Sequence, residues 1–76
     1  MDILEKLQDI FREVFVDDSL VIDENTTPED IEDWDSLTSM ALVAGIESGF
    51  NFKFTTAEIK KLVNVGEIIK VIEAKL

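Results

Sequence analysis

The chain of 76 residues contains no cysteine and no histidine. Without cysteine it has no disulfide, no thiolate nucleophile and no Cys-type zinc site. Without histidine, Ser36 has no imidazole to accept its proton, and the lysine nearest to it in sequence is Lys53. An isolated serine hydroxyl is a poor nucleophile at neutral pH, which excludes a serine hydrolase. We therefore expect a protein that is not an enzyme.

Targeting and membrane-spanning segments are also lacking. Residues 1–5 show no basic stretch followed by an apolar run, the pattern that marks a signal peptide. No segment is apolar for long enough to cross a bilayer. We expect one domain over residues 1–76, a monomer in the cytoplasm that does not insert into membranes.

Positive charge is missing from the middle of the chain. The formal net charge is -10, no Lys or Arg lies between Arg12 and Lys53, and nine acidic residues lie between Val16 and Ser36. Such a surface repels nucleic acid phosphates and favours basic surfaces on partner proteins. We expect no nucleic acid partner.

The acidic segment also resembles a calcium-binding loop only superficially. An EF-hand loop starting at Asp23 would need glycine where Pro28 stands and glutamate where Trp34 stands. No dedicated metal site is predicted, while loose binding of divalent ions by clustered carboxylates stays open.

Apolar residues at helical spacing predict a helix at each end of the chain. Asp2 with Glu5 three residues on is predicted to cap the first, and Asn64 with Glu67 the last. The apolar face of the first helix is predicted as Ile3, Leu7, Ile10 and Val14, with Leu4 and Phe11 beside them. The inner face of the last helix is predicted as Val65, Ile68, Ile69, Ile72 and Leu76.

Two more helices are predicted between these. Asp35 is the best N-cap for the second helix, whose buried stripe is predicted as Leu42, Val43, Ile46 and Phe50. Thr55 with Glu58 forms a capping box that opens a short helix through Leu62. The phenylalanines at positions 50, 52 and 54 are interpreted as a connector that inserts aromatic rings into the core rather than as a strand.

Residues 17–34 lack sustained periodicity and are predicted to form a long loop. Leu20 and Ile22 are interpreted as anchors of this loop, and residues 27–30, with Pro28 in second place, predict one short helical turn. The expected fold is a small all-α four-helix bundle with three longer helices, one short helix and a long first loop.

The residues Asp35-Ser36-Leu37, at the predicted start of the second helix, resemble the acyl carrier protein family. The resemblance covers the whole chain in length, acidity, long first loop and short third helix. It implies that Ser36 carries 4'-phosphopantetheine through a phosphodiester, with Asp35 and Leu37 completing the cofactor-binding motif. A helix start also favours a phosphate, because its dipole is positive there. The alternative is that Ser36 is an ordinary serine of a helix start.

The resemblance further implies a phosphopantetheinyl transferase as partner, and acyl ligases, synthases or acyltransferases of fatty acid, lipid or polyketide-type biosynthesis. The family usually docks through acids along the second helix, whereas the outward positions here hold one acid. The predicted partner-binding residues are Met40, Ala41, Ala44 and Glu47. An aminoacyl or peptidyl carrier, or an unmodified acidic adaptor that binds basic proteins, remain alternatives.

Two further sets of residues are assigned to the interior. Trp34 is interpreted as an anchor of the first loop, with contact to the arm or a partner as the alternative. Candidates for lining an acyl-binding interior are Leu42, Ile46, Ile59, Leu62 and Ile68, with ordinary core packing as the alternative.

Overall fold

The computed structural model describes residues 2–76, which form four helices and no strand. Helix α1 spans Ile3–Val14, α2 spans Ser36–Phe50, α3 spans Thr56–Ile59 and α4 spans Val65–Lys75. The predicted all-α bundle, with three longer helices, one short helix and a long first loop between α1 and α2, is confirmed.

Three of the four predicted helix starts are capped by side chains. Asp35 accepts from the backbone amides of the first turn of α2, Thr55 and Glu58 form a reciprocal capping box, and Asn64 Oδ1 accepts from Glu67 N at 2.8 Å. The prediction for α1 is wrong in part, because Asp2 occupies the N-cap position but its side chain makes no capping hydrogen bond. The short helix is also shorter than predicted, ending at Ile59.

The core lies where α1 packs on α2 and α4. Its fully buried side chains are Leu7, Phe11, Ile46, Val65, Ile68 and Ile72. The last helix departs from the prediction at its end, since Leu76 is 74% exposed while Val71 is buried. Leu76 is the C-cap of α4 and its amide still donates to the carbonyl of Ile72 at 3.2 Å, but its side chain lies beyond Ile72, the last buried residue of the helix.

The first loop is held on the bundle by hydrogen bonds from α1. Arg12 Nε donates to the carbonyl of Leu20 at 2.7 Å, and Gln8 Oε1 accepts from Ile22 N at 3.1 Å. Ile22 is buried, which confirms it as an anchor. The predicted single turn at residues 27–30 is present, because Asp30 N donates to the carbonyl of Thr27 at 2.9 Å and Asp30 Oδ2 accepts from Thr27 N, but it is an isolated hydrogen-bonded turn and not a helix.

The same loop closes the start of α4. The backbone amide of Val65 donates to the carbonyl of Thr26 at 3.0 Å, and that of Gly66 donates to the carbonyl of Glu24 at 3.0 Å. The first amides of a helix have no partner within it, so these carbonyls satisfy two of them. The loop thus links the first half of the chain to the last helix.

Ion pairing and aromatic packing hold the second half of the chain. Lys75 Nζ lies 2.8 Å from Glu58 Oε1, which joins α4 to α3. Between α2 and α3, Phe54 is buried and its ring meets that of Phe52 edge-on at 4.9 Å. The connector therefore inserts aromatic rings into the bundle, as predicted.

Candidate functional site

Ser36 is the first residue of α2, and its side chain is exposed. Asp35 precedes it in an extended conformation and accepts hydrogen bonds at Oδ1 from Leu37 N at 2.9 Å and Thr38 N at 3.1 Å. In return, Asp35 N donates to Thr38 Oγ1 at 2.8 Å. The backbone on both sides of Ser36 is therefore fixed, while its hydroxyl faces solvent.

The carboxylate beside Ser36 is held in its ionised form. Hydrogen bonds from the backbone amides of Thr38 and, to a lesser degree, Leu37 hold the pKa of Asp35 below its usual value. Because Asp35 already takes these two amides, a phosphate on Ser36 Oγ would not bind them. It would still experience the positive end of the α2 dipole.

The start of α2 is also tied to the acidic loop before it. Thr38 Oγ1 donates to the carbonyl of Asp33 at 2.7 Å, so its hydroxyl joins the loop to the first helical turn. The position and the orientation of Ser36 therefore depend on the first loop as well as on α2.

An exposed apolar surface follows Ser36 on α2. Leu37 is 79% exposed and Met40 is 73% exposed, and Ala41 and Ala44 are exposed beside them. The structure thus brings three of the four predicted partner-binding residues to the surface. Glu47 is half-buried instead, and its Oε2 accepts from Phe54 N at 2.8 Å. The one acid predicted on this face is already engaged within the chain.

A pocket of about 370 Å³ lies between α2 and α3. It is lined by Trp34, Ser39, Met40, Leu42, Val43, Ile59, Lys60, Leu62 and Val63. Three of the five predicted lining residues border it. The prediction is wrong for Ile46 and Ile68, which are fully buried in the closed core instead. The other six lining residues were not predicted as such, because only the position of α3 beside α2 brings them to one pocket; they are Trp34, Ser39, Met40, Val43, Lys60 and Val63.

Trp34 both anchors the loop and lines the pocket. Its side chain is buried, its ring meets Phe11 edge-on at 5.3 Å, and Nε1 donates to Ser39 Oγ at 2.9 Å. The predicted anchoring role is confirmed.

Metal and membrane features complete the description. Across residues 2–76 there is no group of three or more potential metal ligands. None of the helices in this part of the chain combines the length and apolar character that crossing a membrane requires.

Comparisons with known proteins identify the family. No protein-family model matches the chain. The chain is 37% identical over 76 residues to an acyl carrier protein of Thermotoga maritima. This alignment covers 99% of this chain and 93% of that protein. Its fold matches the solution NMR structure of the holo acyl carrier protein from Geobacter metallireducens with a TM-score of 0.89 and 41% identity. That match covers 99% of this chain and 86% of that one.

By fold and by relatives, the chain is a small helical carrier protein. It belongs to the acyl carrier protein family.

Proposed function

We propose that the protein carries acyl groups on a 4'-phosphopantetheine attached to Ser36 Oγ. The observation that carries this proposal is an exposed serine directly after an ionised N-cap carboxylate, in a chain of the acyl carrier protein family. The residues fit the group: Ser36 Oγ is open to modification, the helix start favours a phosphate, and an apolar pocket lies on the same helix.

Attachment requires a transferase, because the chain has no base for Ser36. Ser36 Oγ forms the new P–O bond with phosphopantetheine, the pyrophosphate linkage of coenzyme A breaks, and adenosine 3',5'-bisphosphate leaves. The hydroxyl proton passes to a base of the transferase, since this chain has no histidine. When bound, the arm supplies the thiol that the chain lacks and holds an acyl group as a thioester.

Asp35 is assigned a second role in attachment. Among the described residues, the hydrogen bonds that its carboxylate accepts all go to Oδ1. Oδ2 therefore remains available to the metal ion and coenzyme A held by the transferase. Leu37, exposed on the other side of Ser36, provides an apolar contact at the same surface.

Delivery of the acyl group depends on partner enzymes of fatty acid, lipid or polyketide-type biosynthesis in the cytoplasm. We assign their docking to Met40, Ala41 and Ala44, with Glu47 at the far end of this face. Methionine adapts to varied contacts, so the face suits partners whose docking surfaces are less basic than usual in the family. The exposed acids of the first loop supply the remaining negative charge.

The test is attachment itself. The protein is incubated with coenzyme A and a broad-specificity phosphopantetheinyl transferase, and the intact mass is recorded for wild type, Ser36→Ala and Ser48→Ala. Ser48 is a matched control, because it is another exposed serine of α2. We expect wild type and Ser48→Ala to gain one phosphopantetheine and Ser36→Ala to gain none.

The other outcomes separate the alternatives. A wild-type protein that gains no mass would be an unmodified adaptor, and a gain in Ser36→Ala would place the site elsewhere. Loading of the holo-protein with an amino acid, but not with acyl groups, by their activating enzymes would make it an aminoacyl or peptidyl carrier.

A further inference from the structure

The ring of Trp34 is held from three sides. It is 6% exposed and packs edge-on against Phe11, with the two rings 86° apart. Phe15 packs against it at a centroid distance of 6.4 Å, and Ser39 Oγ accepts its indole N–H. It is the one ring of the chain that can combine packing with a directional hydrogen bond, since the other aromatic residues are phenylalanines, and the two together fix its position.

This ring stands between the pocket and the core. Trp34 and Ser39 line the pocket, whereas Phe11, which packs edge-on against the indole, is fully buried and does not line it. A chain that reached past Trp34 would have to displace the ring. That displacement would break its contacts with Phe11 and separate a buried N–H from Ser39, which is costly unless a new partner is found.

The space in front of the ring is small. At the roughly 30 Å³ that a water molecule occupies in the liquid, and that a methylene group approximates, the pocket of about 370 Å³ holds at most about a dozen carbons. Resting on the proposed function, we propose that Trp34 determines which acyl chains the protein shields: chains of up to about a dozen carbons fit, and longer ones extend into solvent.

The wild-type protein provides the first test. It is loaded at Ser36 with butyryl, hexanoyl, octanoyl, dodecanoyl or hexadecanoyl groups, and loading is verified by intact mass. The rate of thioester cleavage by hydroxylamine is then measured. We expect each buried methylene to slow cleavage by no more than about fourfold, from its transfer free energy. The slowing should stop at or before dodecanoyl, so that hexadecanoyl is cleaved no more slowly than dodecanoyl.

Intrinsic fluorescence gives a second reading of the same samples. The chain has one tryptophan and no tyrosine, so its indole emission comes from Trp34 alone. We expect the emission to change as the chain lengthens and to stay constant beyond the length at which cleavage levels off. Emission identical in all loaded forms would mean that no acyl chain reaches the ring, and would overturn the proposal.

Substitutions then test the ring itself. In Trp34→Leu the acyl chain length at which cleavage stops slowing should increase, so that hexadecanoyl is cleaved at least several-fold more slowly than dodecanoyl. Phe15→Leu is the matched control, because it removes a ring from the same aromatic cluster without changing the lining of the pocket. It should keep the wild-type limit. If cleavage levelled off at the same acyl chain length in Trp34→Leu and Phe15→Leu, Trp34 would act only through packing, contrary to the proposal.

Folding and loading failures remain distinguishable from failure of the proposal. If circular dichroism shows that Trp34→Leu is unfolded, Trp34→Phe replaces it, and the wild-type length series decides in any case. Wild-type cleavage that keeps slowing through hexadecanoyl would overturn the assignment of Trp34. Absence of any mass gain at Ser36 would instead overturn the proposed function.

Discussion

Asp35 and Thr38 cap each other across the first turn of α2. Asp35 Oδ1 accepts from Thr38 N at 3.1 Å, and Thr38 Oγ1 accepts from Asp35 N at 2.8 Å. The two residues enclose Ser36, so the bonds that start the helix also fix the backbone of the proposed attachment site. Stability of this turn and presentation of Ser36 are therefore coupled.

Acid should weaken the protein partly through Asp35. Its pKa is lower in the folded protein than in the unfolded chain, because backbone amides bind the carboxylate. Its stabilising contribution is therefore complete above the unfolded pKa of about 3.9 and is lost as the pH falls through the lower folded value. Urea unfolding at a series of pH values from neutral to about 3 should show a smaller acid-induced loss in Asp35→Asn than in wild type.

Controls separate the hydrogen bonds from the charge. Asparagine is as good an N-cap as aspartate, so Asp35→Asn should stay close to wild type at neutral pH, whereas Asp35→Ala should be less stable at every pH. Asp18→Asn removes an equal charge from an exposed loop position. If Asp18→Asn reduced the acid-induced loss as much as Asp35→Asn, general charge repulsion and not the cap would be responsible.

Gly66→Ala should destabilise the protein although it lies within a helix. An added Cβ would be 2.9 Å from the carbonyl oxygen of Glu24, which is backbone of the loop that closes α4. The gain of up to about 1 kcal/mol in helix propensity is outweighed by overpacking, which typically costs about 1–3 kcal/mol. Urea unfolding should therefore show a lower free energy of unfolding for Gly66→Ala.

Gly49→Ala is the matched substitution in α2. Its added Cβ would be 2.8 Å from Ile10 Cδ1, the end of a flexible side chain, which can rotate away. We expect it to remain within about 1 kcal/mol of wild type, since the propensity gain offsets the repacking. A Gly66→Ala protein as stable as Gly49→Ala would mean that the loop moves aside freely.

The fold could be predicted from the sequence because its signals are local. Asp35, Thr55 and Asn64 all act within one helical turn, and the apolar stripes repeat every three or four residues. Contacts between distant segments were not predictable in this way. The carbonyls of Glu24 and Thr26 that close α4 are backbone groups, which leave no mark in the pattern of side chains.

The candidate site also has a part that local signals predict and a part that depends on contacts between distant segments. Ser36 and Asp35 were predicted from a short motif and a cap, and the structure places them at the start of α2 as expected. The pocket was predicted only in part, because Lys60 joins it through the position of α3, and Ile46, one turn after Leu42 on the same face of α2, is closed into the core. Period and spacing predict which residues are buried, but not which part of a buried helix face stays open as a pocket.

Added salt should stabilise the protein. Within residues 2–76 the two ion pairs, Lys70–Glu67 and Lys75–Glu58, lie in α3 and α4. No acid of the first loop in this part of the chain forms an ion pair, although Arg12 attracts Asp17, so most of these acids repel one another. At about 0.15 M ionic strength the Debye length is about 8 Å, which weakens this repulsion. The melting temperature should rise as sodium chloride or magnesium chloride is added.

Two double variants locate the repulsion. Asp18→Asn with Glu32→Gln removes two exposed charges from the loop, and Glu5→Gln with Glu73→Gln removes two from α1 and α4. The loop variant should have the higher melting temperature of the two at low salt, and its melting temperature should rise less when salt is added. An equal salt-induced rise in melting temperature in the two variants would show that the repulsion is spread over the whole surface.

Replacing Val16 with glycine should stabilise the end of α1. The amide of Val16 donates to the carbonyl of Glu13 at 3.3 Å, and that of Asp17 donates to the carbonyl of Arg12 at 3.0 Å. These two bonds form a Schellman motif, whose left-handed residue is usually glycine. Val16 adopts φ 50° there and is 90% exposed, so it bears the strain of a β-branched residue without burying its methyl groups.

Relief of this strain outweighs the entropy that glycine adds to the unfolded chain. A left-handed conformation costs a residue with a Cβ about 1–2 kcal/mol, against the roughly 0.5–1 kcal/mol by which glycine's extra freedom opposes folding. A net gain of about 1 kcal/mol would raise Tm by about 4–8 °C in a domain of this size. Val16→Ala is the matched control, because it removes the same methyl groups but keeps the Cβ. It should gain less than Val16→Gly, and an equal rise in Tm would locate the strain in the branched side chain, not in the backbone.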